Sequence, residues 1–306
     1  MWKLRLCMVG VTLAAAMVSR TAASEAVVLR PRWEVGQTAA YEFWVQRDRT
    51  TTAVFDDQRR SQTLEMVSEG RLVWEVVTVK PDGGCEALMT LEWMSVSTSA
   101  DGGPAEVNDS RRASGAVPLM QDLLKAMVGV PVEVGVAADG SVTSIDGLEP
   151  MRRRAEAAEA VPDETDFKET ASGLASLPFA PATLEPGGGW SASFTWNHEL
   201  GEVDYDWDYR LEGVEQIAGV PVAVVRGEGD GALRAGEDAP PEVSLDYDLE
   251  LAEQTVMFDL LRGETVGRDD RLVSVVEMVV RLPDGRRLTR EVREDERSQV
   301  VRVGED

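Results

Sequence analysis

The fold is decided by the stretch Glu202-Val203-Asp204-Tyr205-Asp206-Trp207-Asp208-Tyr209-Arg210-Leu211. Charged and apolar residues alternate along it without a break. Because successive side chains of a β-strand point to opposite faces of a sheet, this alternation predicts a strand with one face in a core and the other in water. The same pattern returns over residues 245–251, so long antiparallel strands are predicted to form most of the protein.

Strand and turn signals extend outward from this stretch in both directions. Residues 71–79 are rich in β-branched and aromatic residues, and Asp82-Gly83-Gly84 predicts a hairpin turn. Strands are predicted over the ranges 41–46, 71–79, 85–96, 131–136, 141–145, 202–211, 220–226, 243–261, 265–282 and 286–303. Residues 99–115 and 227–241 are rich in glycine and polar residues and are predicted to be loops.

Helical spacing is found in the middle of the chain. After Pro118, apolar residues recur at 119, 120, 123, 124, 127 and 128, and Gly129 provides a stop. Residues 151–160 predict a polar surface helix, and residues 170–177 add one or two turns. The predicted fold class is mainly β (α+β): a long curled antiparallel sheet or half-barrel with a few short capping helices.

The N-terminus has the pattern of a secretory signal peptide. Lys3 and Arg5 precede a 13-residue apolar run, Leu6 to Val18, and small residues follow around Ala22-Ala23-Ser24. We predict a signal peptide over residues 1–24 and export to the periplasm or the extracellular space. The run is too short to cross a bilayer, and no later stretch reaches the roughly 18 consecutive apolar residues of a transmembrane helix.

Residues 25–306 are predicted to form a single β-rich domain. An alternative is two diverged halves, 25–150 and 183–306, joined by a helical connector over 151–182. A glycine turn opens a strand run in each half, at Gly36 and at Gly187-Gly188-Gly189. The match is short, so both arrangements stay open.

Composition argues against several classes of function. The chain has 31 basic and 55 acidic residues and a formal net charge of -24, which disfavours nucleic acid as a partner and repels anionic membrane surfaces. With one histidine, His198, and two cysteines, the chain lacks the residues of the usual zinc sites and offers no recognisable catalytic triad. Cys85 is predicted to be a buried residue at a strand start. We predict no enzyme activity, no catalytic residues, no metal and no cofactor.

Acidic rows lie on the water-facing sides of two predicted strands: Asp204, Asp206, Asp208, and Asp246, Asp248, Glu250. Aligned carboxylates could bind calcium or provide the acid pair of a glycosidase. Alternation alone produces such rows, and no calcium-loop consensus is present. We therefore favour a solvated sheet face opposed by arginines of the last strand: Arg287, Arg290 and Arg293.

Aromatic side chains and one helix are the candidates for a ligand site. Inside a curled sheet they could line a hydrophobic cavity beneath the helices, or they could fill a solid core. The candidate cavity residues are Trp44, Trp74, Trp93, Trp196, Tyr205, Trp207, Tyr247, Leu123 and Met127.

Three functions follow as hypotheses. The first is an exported, non-catalytic protein of the cell envelope or extracellular space that binds a lipid, another hydrophobic ligand or a lipoprotein-like envelope partner. The second is a structural or interaction module with a solid core and no small-molecule ligand. The third, a carboxylate-dependent glycosidase, is the least supported because no particular acid pair is indicated.

The order of these motifs resembles an uncharacterised family of secreted β-rich bacterial proteins of planctomycete type. The resemblance rests on the export signal, the Trp74 strand with its Asp82-Gly83 hairpin, the Pro118 helix, the link from Leu177-Pro178 to Gly189-Trp190, and Leu211-Glu212-Gly213 before the final strands. In architecture these proteins are similar to LolA/LppX-type periplasmic carriers, in which helices cover a curled sheet and enclose a hydrophobic cavity. The resemblance implies such a fold and brings no catalytic residues.

Overall fold

The computed structural model describes residues 26–56, 58–155, 164–175, 183–198, 201–235 and 243–304. The predicted signal peptide, residues 1–24, lies outside these residues. In the described part the protein is mainly β, with one open antiparallel sheet of 12 strands and three short helices. This confirms the predicted fold class. No helix in these ranges is long and apolar enough to cross a membrane.

The N-terminal half of the chain contributes six strands to the sheet: β1 (Thr38–Phe55), β2 (Gln58–Val79), β3 (Cys85–Ala100), β4 (Glu106–Asp109), β5 (Pro131–Val136) and β6 (Val142–Asp146). The C-terminal half of the chain contributes the other six: β7 (Gly189–His198), β8 (Gly201–Ile217), β9 (Val220–Ala235), β10 (Val243–Asp259), β11 (Glu264–Arg281) and β12 (Arg287–Val303). The helices are α1 (Pro118–Met127), α2 (Glu149–Arg154) and α3 (Glu164–Ala175).

The strand order shows how the two parts of the chain meet. It runs β6-β5-β3-β2-β1-β12-β11-β10-β9-β8-β7, with β4 paired to β3 outside this path. Each part is a meander, and the two are joined where β1 pairs with β12, from Ala40 opposite Val303 to Phe55 opposite Leu288. That the parts are diverged copies stays a prediction.

Both hydrophobic clusters lie on the same face of the sheet, which we call the core face. In an antiparallel pair, residues directly opposite each other share a face. Phe43, which packs on the first cluster, is opposite Val300, Val300 is opposite Arg268, and Arg268 is opposite Val256 of the second cluster. The other side of the sheet is the outer face.

The helices cover only one end of the core face. Met127, Met151, Ala171 and Leu174, which come from all three helices, pack on the first cluster around Trp74. The second cluster, on strands β8, β9 and β10, receives no helix residue among the described ranges. The far end of the core face, toward the β1–β2 and β11–β12 turns, is likewise left uncovered by described helices.

The predicted loop over residues 227–241 is wrong for residues 227–235, which continue strand β9. Gly229 is opposite Trp207, and Gly231 is opposite Tyr205. A Cβ placed on these glycines would lie 2.9 and 3.2 Å from the two rings. The glycines therefore make room for large rings of the neighbouring strand. Residues 236–242 lie outside the described part.

The predicted loop over residues 99–115 is also wrong in part, because it contains strand β4. The buried side chain of Gln121, in α1, holds this strand in place. Its Nε2 donates to the carbonyl oxygen of Asp109 at 2.7 Å, and the amide of Asp109 donates to its Oε1 at 3.0 Å. Composition marked the segment as a loop, but residues 106–109 form a strand because they pair with β3, from Ser95 opposite Asp109 to Thr98 opposite Glu106.

Candidate functional site

The predicted cavity residues do not meet in one place. Trp74 lies in the first cluster beside Trp33, with ring centroids 6.3 Å apart, and Met127 borders the same cluster. Tyr205 and Trp207 belong to the second cluster, and Tyr247 packs at its margin.

The other four candidates are distributed elsewhere. Trp44 lies on the outer face, because it does not share the parity of the core residues of β1. Trp93 also lies there, opposite Arg71, because a register shift between Leu91 and Trp93 reverses the alternation of β3. Leu123 packs against a small cluster of two alanines at α1 and α2. Trp196 is opposite Val203 in the β7–β8 pair, and its side chain lies outside the described part.

The space beneath the helices is filled. It is lined by Leu72, Met89, Leu91, Met127, Val130, Val132, Met151 and Phe167. Its volume is ≈ 10 Å³, which is about the space of one water-sized sphere. Among the described residues, the space at this place is therefore too small for the lipid that the carrier hypothesis puts there.

Apolar side chains continue along the core face beyond this filled end. Three rows of facing side chains cross β10, β11 and β12, and one of them reaches Phe55 of β1. They are apolar except at Arg290 of β12, which is opposite Met278 in the middle row. Apart from Val276, which is 5% exposed, the apolar side chains are only half-buried. We call this surface the apolar band; it consists of Phe55, Val243, Leu245, Tyr247, Val276, Met278, Val280, Leu288 and Val292.

Polar groups border the apolar band toward the covered end. Arg47 binds Glu294 at 3.0 Å and also forms an ion pair with Glu296. On the β10 side, the hydroxyls of Tyr205 and Tyr247 are 3.1 Å apart. Burial raises the pKa of both tyrosines, so the hydroxyls are neutral hydrogen-bonding groups at physiological pH. The band therefore has an apolar floor and a hydrogen-bonding border.

The acidic row of β8 is held by hydroxyl groups of the edge strand β7. Ser191 donates to Asp208 at 2.6 Å, and Thr195 donates to Asp204 at 2.7 Å. The hydrogen bond from Arg234, followed by that from Thr195, lowers the pKa of Asp204. Among the described residues, no group of three or more acidic, histidine or cysteine side chains is arranged to hold a metal ion.

Only part of the predicted arginine partnership is found. Arg293 binds Glu250 at 2.6 Å on the outer face, as predicted. Arg290 is opposite Met278 and therefore lies on the core face, and Arg287 is opposite Arg281. The prediction that these two arginines oppose the acidic row is wrong, because strand parity and register place them elsewhere.

Cys85 begins strand β3 and is fully buried, which confirms its predicted place. Burial raises the pKa of its thiol to about 11. The thiolate, which is the reactive form, is therefore scarce at neutral pH. His198 ends strand β7, and its side chain lies outside the described part.

Most of the apolar band was not among the predicted site residues. Met278, Val280, Leu288 and Val292 all fall inside predicted strands, but the sequence does not show which face they share. The available signal was the alternation of apolar residues in the first part of β10, at Val243, Leu245, Tyr247 and Leu249.

Comparisons with known proteins do not assign a family. No protein-family model matches the sequence, and no curated protein matches it. A solved COG4313 outer membrane channel from Pseudomonas putida F1 has 11% identity and a TM-score of 0.22, with 89% of this chain and 97% of that chain covered.

Two further solved structures show similarity of the same low order. A DUF1329 family protein from Desulfovibrio piger ATCC 29098 has 9% identity and a TM-score of 0.14, with 85% of each chain covered. The Acinetobacter baumannii outer membrane protein Omp33 has 7% identity and a TM-score of 0.12, with 90% of this chain and 99% of that chain covered. These TM-scores do not establish a shared fold, and no function follows from them.

Proposed function

We propose that this is an exported, non-catalytic protein of the cell envelope or extracellular space that binds a hydrophobic ligand along the apolar band. The observation that supports this is that no described helix covers the apolar band. Its side chains on β10, β11 and β12 face one another across the strands, and all except Val276 are only half-buried. The resemblance in architecture to LolA/LppX-type carriers suggested a hydrophobic ligand beneath the helices, and we place the ligand instead on the end of the sheet that no described helix covers.

The energetics favour an extended apolar ligand such as an acyl chain. Removing apolar surface from water contributes about 25 cal/mol per Å², or about 0.8 kcal/mol for each buried CH₂ group. An acyl chain lying across the rows would bury apolar surface on both partners. Headgroup hydroxyls or carbonyls could accept hydrogen bonds from Tyr247 at the border.

A non-catalytic role is supported by the placement of the acidic groups. Burial raises the pKa of Glu264 and of Asp269. Asp269 is opposite Gln299 on the outer face, whereas Glu264 contacts Gln37 and Arg302 on the core side. These two carboxyl groups therefore do not form the facing acid pair that glycoside hydrolysis requires.

An interaction module is the second candidate, because the space beneath the helices is filled. In that case the apolar band would bind the surface of a partner protein. The two candidates differ in whether a lipid-sized molecule accompanies the isolated protein.

The test is native mass spectrometry of protein secreted into a bacterial periplasm. We expect an additional mass of lipid size that is lost on organic extraction and is regained when oleate is added. Val280→Glu should weaken oleate binding about tenfold or more, because it buries a carboxylate against an acyl chain at a position where the facing residues, Leu288 and Val243, are apolar.

Val279→Glu is the matched control, since Val279 directly precedes Val280 in β11, is half-buried and faces outward. It should bind oleate as the unmodified protein does. An unchanged apo mass, also after oleate and phospholipid are added, would exclude the ligand and leave the interaction module.

A further inference from the structure

Six arginines gather at the end of the sheet next to the apolar band. We call this group the arginine tip; it consists of Arg59, Arg60, Arg281, Arg286, Arg287 and Arg290. All six are exposed. They come from the β1–β2 and β11–β12 hairpins, which lie far apart in the sequence. The hairpins meet because β1 pairs with β12, so that Phe55 is opposite Leu288.

Two acidic residues at this end, Asp56 and Asp284, are paired with one arginine of the tip. Arg286 binds Asp56 at 2.9 Å and Asp284 at 2.7 Å. Its guanidinium also lies 4.8 Å from the centre of the Phe55 ring. The other five arginines of the tip form no ion pair with a described residue. In a chain of net charge -24, this is a local concentration of unpaired positive charge.

Two of these arginines face each other directly. Arg281 is opposite Arg287 in the β11–β12 pair. Like charges directly opposite on neighbouring strands destabilise a sheet. This pairing therefore does not stabilise the sheet, and an external anion near both guanidiniums would reduce the repulsion.

The arginines of the tip lie on both faces of the sheet. Arg60 lies on the core face beside the apolar band, and Arg290 lies within the band, opposite Met278. Arg59 lies on the outer face, opposite Val54. Val54 is 36% exposed, although it is apolar. A single small anion would contact only one side of this arrangement. A flat surface that carries many anions would contact the guanidiniums on both faces of the sheet. The apolar side chains at the tip would then lie between the bound anions.

We propose that the arginine tip docks on the surface of an anionic lipid bilayer. The guanidiniums would bind lipid phosphates through paired N–H donors, while Val54 and Phe55 would enter the interfacial layer. The net charge of the whole chain predicts repulsion from such a surface. Screening limits that effect, since the Debye length is about 8 Å at physiological ionic strength, so charges at the tip dominate close to the membrane.

The test is co-sedimentation of the purified protein, with its N-terminus defined by mass spectrometry, with lipid vesicles. We expect the protein to sediment with phosphatidylcholine vesicles that contain phosphatidylglycerol, and not with phosphatidylcholine alone. The double variant R59Q/R60Q should bind on the order of 30-fold more weakly, because each basic residue near the surface contributes about 1 kcal/mol.

The matched control is R152Q/R153Q, which removes two adjacent exposed arginines from α2. It should bind as the unmodified protein does. R281Q/R287Q should weaken vesicle binding without lowering the denaturation midpoint, because it also removes a repulsive pair. Equal binding to both kinds of vesicle, binding to neither, or an equal loss in R59Q/R60Q and R152Q/R153Q would overturn the proposal.

Discussion

Replacing Arg302 with methionine is expected to lower the free energy of unfolding by about 3 to 5 kcal/mol at pH 7. Arg302 holds Glu264, which is 3% exposed, with Nη1 and Oε1 2.9 Å apart. Gln37 donates to the other carboxylate oxygen at 3.3 Å. Without Arg302 a buried carboxylate loses its nearest counter-charge. Chemical denaturation measures the loss.

The pH dependence of this loss tests its cause. Burial already raises the pKa of Glu264, against the effects of Arg302 and Arg262, and removing Arg302 raises it further. A group whose pKa is higher in the folded state costs stability as pH rises through that folded pKa. The destabilisation by R302M should therefore shrink as the solution is acidified below the folded pKa.

The double variant R302M/E264Q is the control, because it removes the buried charge together with its partner. It should recover most of the stability that R302M loses. If the double variant is as unstable as R302M, then packing of the arginine side chain, and not its charge, accounts for the effect.

Gly229→Val is expected to destabilise the protein by about 3 kcal/mol, near the upper end of the usual cost of overpacking. A Cβ at this position lies 2.9 Å from the Trp207 ring and 3.2 Å from the Cβ of Ala252. Both neighbours are buried in the second cluster, so neither can move away easily. The shift of the thermal or denaturant midpoint measures the effect.

Gly213→Val is the control within the neighbouring strand β8. A Cβ there meets no atom within 4 Å, and valine favours strands. It should change the free energy of unfolding by less than about 0.5 kcal/mol or raise it. An equal loss in both variants would contradict the role of the strand glycines as space for aromatic rings.

Alternation was sufficient to predict much of the sheet. Residues 202–211 have their apolar side chains on the core face and their charged side chains on the outer face. The Pro118 helix and the Asp82-Gly83 turn also follow from local signals. These features depend on neighbours within a few positions, which a single sequence shows directly.

Features that depend on partners across strands could not be predicted. Gly229 resembles a loop residue until Trp207 is known to lie opposite it. The arginine tip depends on the pairing of β1 with β12, which are the first and last strands of the chain. The apolar band likewise depends on the registers of three strand pairs: β10–β11, β11–β12 and β12–β1. Local composition does not determine such registers.

The central claim is that the apolar band binds the ligand. The most direct measurement is photocrosslinking with a fatty acid that carries a diazirine on its acyl chain, followed by mapping of the labelled residues by mass spectrometry. We predict labels on residues 243–249, 276–280 and 288–292, which competing oleate removes. Labels confined to outer-face positions or to the residues beneath the helices, or no labels that oleate competes for, would contradict the claim.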